Sequence, residues 1–423
     1  MKALVTCLAL ALSGATAFAA DWPQWRGPDR DGVSHESGLH LDWRETKPSL
    51  RWVFREAGSG YSSPTIVGDT LYGQGAADDG DFGFALDTKT GKLKWRQPLG
   101  PMFVQDRGNG PRGAVTVDGD TLYLIRGGGE LVALAAVDGK PLWKKDLRRD
   151  LNGDLMSMWD WGYSESPLVD GDLVVCTPGG SKGTLAALDK RTGDVVWRSV
   201  DWVEKGGFTS PIVADVDGVR QYIQFARGGV AGVAAKDGKL LWRVDVASNH
   251  IAVIPTPVYH DHLVYVTSGY GAGCGAVRLS REGDTFKTEL LYASKNLSNH
   301  HGGVVLLDGH IYGHAEGRGW VCQNLKTGEN VWSEKGSERP GKGAVVAVGD
   351  HLLLLEENTG TLTSVAASPE GWKEFGRLEL PERSTVQTMD NKVWTHPVVA
   401  NGKLYLRHHD LLFCFDLKSS PGR

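Results

Sequence analysis

The stretch ALDKRTGDVVW, residues 187–197, decides the fold. An apolar run leads into a turn at Thr192-Gly193-Asp194, and a second run closes on Trp197. Four further copies read ALDTKTGKLKW (85–95), ALAAVDGKPLW (133–143), GVAAKDGKLLW (232–242) and CQNLKTGENVW (322–332). From Trp95 to Trp332 they span 237 residues over five intervals, one copy having lost its tryptophan, so the period is about 47 residues. That period belongs to four-stranded blades, and it predicts a β-propeller.

Working outward, each unit reads as four short strands with two Gly-marked hairpins on one side. The first hairpin carries pairs such as Gly119-Asp120, Asp217-Gly218, Asp308-Gly309 and Asn401-Gly402, which suit two-residue turns. The second is the repeated phrase itself. Full units fall at about 62–99, 110–147, 163–200, 208–246, 254–294, 300–336 and 342–380, with Tyr292 and Phe375 standing where the fifth and seventh tryptophans would be. An eighth unit begins at Trp394 and stops near Lys418 before its fourth strand. The missing strand is present at the other end of the chain, as Leu50 to Arg55 with Trp52 in the repeated position. Pairing the two ends closes the ring and removes exposed sheet edges. The expectation is an all-β, eight-bladed propeller; seven blades is the alternative if the divergent seventh unit is not a blade. The organisation expected is a leader over 1–19, a clasp over 20–49 and the propeller over 50–420.

Composition agrees. The 423 residues include 56 Gly and 15 Trp, which suit many tight turns and repeated interlocking units. A net charge of -5 gives no reason to expect nucleic acid or an anionic membrane as partner. Lys2, the apolar run Ala3 to Leu12 and the small-x-small Ala17-Phe18-Ala19 read as a cleavable secretory signal, so a secreted or periplasmic protein is expected. The run is too short for a transmembrane segment, and Cys7 lies inside it rather than at a lipid-attachment position. Cys176, Cys274, Cys322 and Cys414 remain, with no CxxC spacing; disulfides are permitted but not required, and only Cys274, in SGYGAGCG, reads as a loop residue.

The repeated phrase resembles the tryptophan-docking motif of PQQ-repeat β-propellers, a superfamily that includes quinoprotein alcohol dehydrogenases and the outer-membrane assembly factor BamB. The start Asp21-Trp-Pro-Gln-Trp-Arg-Gly-Pro28, with Trp161-Gly-Tyr-Ser-Glu-Ser-Pro167, Ile254-Pro-Thr-Pro257 and Asn299-His-His-Gly-Gly303, resembles one exported, planctomycete-type subgroup. For a dehydrogenase the resemblance implies PQQ with calcium, held by Glu, Asn and Asp oxygens, and often a disulfide between adjacent cysteines. This chain has no adjacent cysteine pair and no matching Glu, Asn and Asp trio, so no PQQ-site residue is carried over.

In a propeller the interblade loops and the middle hairpin of each blade share one face, here called the mouth. Its loops carry Arg107, Arg112, Trp159, Asp160, Trp161, Glu165, His250, His300, His301, Lys342 and His396, and the middle hairpins carry Arg126, Arg227, Tyr270, His314, Glu316, Arg318, Arg407, His408 and His409. The candidate ligand-binding set is Arg112, Arg126, Trp161, Glu165, Arg227, His250, His300, His301, His314, Glu316, Arg318 and His396. Arginine forks and histidines suit an anionic or polyhydroxylated ligand, with tryptophan stacking on a ring. The plainer alternative is loop packing around a solvated funnel. No metal site is expected, because adjacent histidines in an extended segment point opposite ways. For Trp22, Trp25 and Arg26 the expectation is packing on a propeller flank, with Arg26 tied to an acid; a lid or partner contact is the alternative. Together these features favour a monomeric binding or assembly scaffold for protein or polysaccharide in the cell envelope over an enzyme; the alternative is a PQQ-dependent dehydrogenase of alcohols or sugars.

Overall fold

A computed structural model describes residues 20–156 and 160–418. Eight four-stranded antiparallel blades form a ring, at 65–100, 116–146, 168–198, 212–244, 258–294, 304–334, 343–378 and 398–416. The eighth is completed by Ser49–Phe54, which pairs antiparallel with Leu411–Asp416. The divergent seventh unit is a full blade and carries an extra short strand, Val33–Ser34, parallel to its innermost strand. The leader falls outside the described residues, as do Trp159 and its two preceding neighbours.

The repeated tryptophan joins neighbouring blades. Each indole Nε1–H donates to a carbonyl on the next blade: Trp52 to Thr88 (3.1 Å), Trp95 to Ala136 (3.0 Å), Trp143 to Lys190 (2.9 Å), Trp197 to Ala235 (3.0 Å) and Trp332 to Ser368 (2.9 Å). Tyr292 substitutes through its hydroxyl, which donates to the Leu325 carbonyl at 2.8 Å. The ring lies on the turn glycine of that next blade. A Cβ on Gly193 would sit 2.6 Å from Trp143, and one on Gly238 would sit 2.4 Å from Trp197. Glycine is therefore needed both for its left-handed φ and for the close approach.

Two departures have local causes. Trp242 donates to Gln221 of its own blade at 2.6 Å. The fifth blade's outer hairpin is drawn out, with strands Gly273–Glu282 and Thr285–Ser294, and nothing lies within 4 Å of a Cβ at its turn glycine, Gly283. Phe375 has no donor, and the seam between blades seven and eight is filled instead by Leu41 and Trp43, the latter's amide bonded to the Phe375 carbonyl at 2.6 Å. All four described cysteines are buried and unpaired. Cys274 lies in a strand and not in a loop, its thiol against Ser294 and Gln323.

The expected flank clasp is instead an axial plug. Trp22 bridges Ile66 of the innermost strand of blade one, and Asp21 accepts from Gly68 at the hairpin face. The chain climbs the channel, turns at Arg26 and Gly27, both with positive φ, and descends as Val33–Ser34 beside Ala347 and Val348. On the way Pro23 accepts from Val117, and Arg30 donates to the Ser166 and Pro167 carbonyls. Arg26 ties to the Asp31 and Val304 carbonyls rather than to a carboxylate oxygen. An eight-bladed ring leaves an axis too wide for its own side chains to fill, and this hairpin fills it.

Candidate functional site

The tip of the plug is the floor of a cavity. Trp25 and Arg26 close the channel below the mouth, where about 370 Å³ remains open above them. Trp25 is fixed by its Nε1–H donating to Thr256 at 2.9 Å and by an edge contact to the His396 ring, with centroids 4.6 Å apart. The walls are largely aromatic: Tyr61, Trp161, Phe208, Tyr270 and Trp394. Tyr61 packs on Trp394 at 5.0 Å and Trp161 on Phe208 at 5.9 Å. At the rim, Arg107 pairs with Asp390 at 2.6 Å and the Met389 amide bonds the Asp106 carbonyl, so two interblade loops meet across the opening.

The polar side of the wall is built on His300 and His301. Lys342 Nζ lies 2.9 Å from His300 Nδ1. An ammonium only donates, so Nδ1 accepts and His300 Nε2 carries the hydrogen. His301 Nε2 lies 2.6 Å from Glu357 Oε2, and a carboxylate only accepts, so His301 donates there and its Nδ1 holds a free lone pair. The other ring nitrogens, His300 Nε2 and His301 Nδ1, are buried without a hydrogen-bond partner, as is Arg26 Nε. Burial lowers His300 to about 3 and also lowers His301, only partly offset by Glu357. Glu357 itself is buried, which works against its charge. The hydrogen bond from His301, the charge of Lys342 at 3.3 Å and the Trp394 indole outweigh that and hold it well below the usual carboxylate range. Lys392 stands 3.5 Å away on the same oxygen as Lys342.

Of the sequence-derived set, Arg112, Trp161, His300, His301 and His396 line this cavity. Arg112 is lowered to about 10 by burial; it donates to the Gly108 and Gly110 carbonyls and lies over the Phe103 ring. The others are brought elsewhere. Arg126 is buried in a pairing with Asp81 at 3.1 Å and with Glu130. Glu165 accepts from the Thr177 amide, and burial raises it to about 8 against the pull of Thr177 and Arg30. Arg227 and His250 pair with each other at 3.3 Å. His314 packs edge-on to Trp320, burial lowering it to about 4. Glu316 accepts from the Tyr270 and Gly271 amides, shaping that loop, and Arg318 is exposed on the same hairpin as Glu316.

Sequence reasoning missed Glu357, Tyr61, Phe208 and the floor. Glu357 follows a strand in the middle hairpin of blade seven, and no motif marks it. The floor was legible only as the phrase WPQWRGP, whose path up the axis depends on contacts distant in sequence.

A family model described as outer membrane protein assembly factor BamB matches residues 79–334. The chain belongs to this PQQ-repeat family. A relative from Shewanella oneidensis, named outer membrane protein assembly factor BamB, is 23% identical over 364 residues, covering 78% of this chain and 79% of its own. One of the same name from Burkholderia pseudomallei is 28% identical over 189 residues, 44% of this chain and 46% of its own. Among solved structures, BamB from Moraxella catarrhalis has a TM-score of 0.60 at 18% identity, covering 89% of this chain and all of its own. Quinohemoprotein alcohol dehydrogenase from Comamonas testosteroni has a TM-score of 0.63 at 12% identity, covering 96% of this chain and 82% of its own. Those likenesses are of fold.

The dehydrogenase-type cofactor does not fit the cavity. Calcium takes six to eight oxygen ligands, carboxylates prominent among them. Among the described residues, no Asp or Glu lines the cavity, and both oxygens of the nearby Glu357 are taken by its own cations and donors. Asp29, Asp31 and His35, on the plug, do bring ligand atoms within 4.8 Å of one another, but none of them lines the cavity.

Proposed function

We propose that this protein is exported to the cell envelope and serves there as a rigid scaffold that docks a protein or polysaccharide partner on its mouth face. One observation carries the proposal: an axis sealed by the chain's own hairpin leaves the mouth with an aromatic and cationic recess in which, among the described residues, no carboxylate is placed to hold a catalytic ion. Family membership supports the same reading, since relatives are named for assembly at the outer membrane. The leader at 1–19 directs export, and the chain acts as a monomer.

Site-directed photo-crosslinking in living cells tests this. A photoreactive residue at Val104 or Met389, both exposed at the mouth, is compared with one at Lys239 on the opposite face. A discrete adduct from the mouth alone is expected. Adducts only from the opposite face, or none from either, overturn the docking reading.

A further inference from the structure

The rim of the recess is apolar like its walls, and that bears on what enters it. Val104 and Met389, on the two interblade loops that meet across the opening, are 69% and 61% exposed. Ile251, on the loop before blade five, and Tyr270, on that blade's middle hairpin, are 36% and 40% exposed. A molecule held wholly within about 370 Å³ would leave these four side chains in water, whereas an occupant that also extends over the rim covers them. Val, Ile and Met offer a sugar ring no flat face to stack on, but they pack well against other side chains. Rim and recess together have the make-up of a protein interface core: Tyr, Trp, Phe, Met and Arg are present, and among the described residues no Asp or Glu lines the recess.

Tyr270 is held in place for such contact. Its φ is +57°, a left-handed conformation rare for a bulky residue. The Glu316 carboxylate fixes it by accepting from the Tyr270 and Gly271 amides at 3.1 Å each, and the ring stands edge-on to His300 with centroids 4.8 Å apart. A strained backbone that keeps an aromatic ring partly exposed beside a cavity pre-orders a contact residue. Charge narrows the partner further. Arg26 and Arg112 are bonded to backbone carbonyls rather than to carboxylates, and Lys342 and Lys392 share the single carboxylate of Glu357. A recess with walls of one sign and low polarity draws the opposite charge. We infer that the axial cavity receives an aromatic side chain from an acidic segment of a protein partner, and that Val104, Ile251, Tyr270 and Met389 pack on the residues flanking that anchor. This rests on the reading of the mouth as the docking face, and it selects protein from the two partner classes.

Selection of a random dodecapeptide display library on the purified protein, followed by calorimetry with the synthetic form of the best-enriched peptide, tests it. Enriched peptides should share one aromatic residue among Asp and Glu, and the synthetic peptide should bind saturably and more weakly in added salt. Tyr270→Ala should weaken that peptide about tenfold while leaving the melting temperature within a few degrees. If Tyr270→Ala disturbs its hairpin, Met389→Ser alters an exposed side chain on a different loop and should cost about fivefold. Met389→Ser also separates an occupant that crosses the rim from one confined to the recess. Enrichment of basic or wholly polar peptides, no enrichment by a folded protein, or binding that neither variant weakens each overturns the proposal. So does saturable binding of polygalacturonate with no peptide selected. Failure here with the mouth adduct intact removes only the acidic, aromatic anchor; loss of both removes the docking reading.

Discussion

Substituting Gly238 with alanine separates the docking of blades from the needs of a turn. Gly238 has φ of +76°, and its Cβ would lie 2.4 Å from Trp197, whose indole is tied to Ala235 on the same turn. The left-handed backbone alone costs alanine about 1–2 kcal/mol. Relieving the overlap means moving the indole, at about 1–3 kcal/mol for an overpacked contact, with the hydrogen bond worth about 1 kcal/mol at stake. The expected loss is about 3 kcal/mol. Gly283 is the matched control: it has φ of +61° at the equivalent turn of blade five, with nothing within 4 Å of a Cβ. Gly283→Ala should lose only the backbone part, about 1–2 kcal/mol. Urea unfolding followed by tryptophan fluorescence and far-UV circular dichroism reads both. Equal losses for the two variants would refute the view that tryptophan docking on glycine holds the blades together.

Stability should fall steeply below pH 6.5. His300, His396 and His409 are lowered to about 3, and His314 and His408 to about 4, by burial first and neighbouring cations or histidines second. Between pH 6.5 and those values the unfolded chain takes up protons that the folded chain refuses, costing about 2 kcal/mol per histidine at pH 5. His409→Phe, which replaces a ring with neither nitrogen bonded, should flatten that slope; an unchanged urea midpoint from pH 7 to pH 5 would contradict it. Glu165 works in the opposite sense: raised to about 8, it is protonated in the fold, so stability is lost as pH climbs from the usual carboxylate value through 8. Glu165→Gln should therefore be more stable than the parent at pH 8.5 and close to it at pH 4, as measured by thermal melting. Arg26→Met leaves the Asp31 and Val304 carbonyls without their donor, and should cost about 3 kcal/mol and shift Trp25 emission to longer wavelength.

The ring was legible because one physical device recurs. A left-handed glycine with an aromatic ring on it leaves the phrase TGxxxW or DGKxxW wherever two blades meet, and strand alternation fills in the rest. Even the shared closing blade could be read, since Trp52 keeps the device at the far end of the chain. Trp242 illustrates the limit. Its phrase is intact, but the partner turn is displaced by a longer hairpin in the next blade, which no local pattern in 232–242 reveals. The cavity was only half legible for the same kind of reason. Loop positions place Arg112, Trp161, His300, His301 and His396 on the mouth, but whether a charged group faces the axis depends on what neutralises it. Arg126 meets Asp81 from another blade, and Glu165 turns into the packing beneath Thr177. The plug was the least legible, because its path depends on pairings such as Val33 with Ala347, more than 300 residues apart.

The central claim is that this propeller binds a partner without the quinone cofactor of its dehydrogenase relatives in fold. Titrating the purified protein with PQQ by calorimetry, with and without calcium, tests it most directly. The account predicts no saturable calcium-dependent heat and no change in melting temperature. Stoichiometric binding at micromolar or tighter, about -8 kcal/mol, that requires calcium would contradict it.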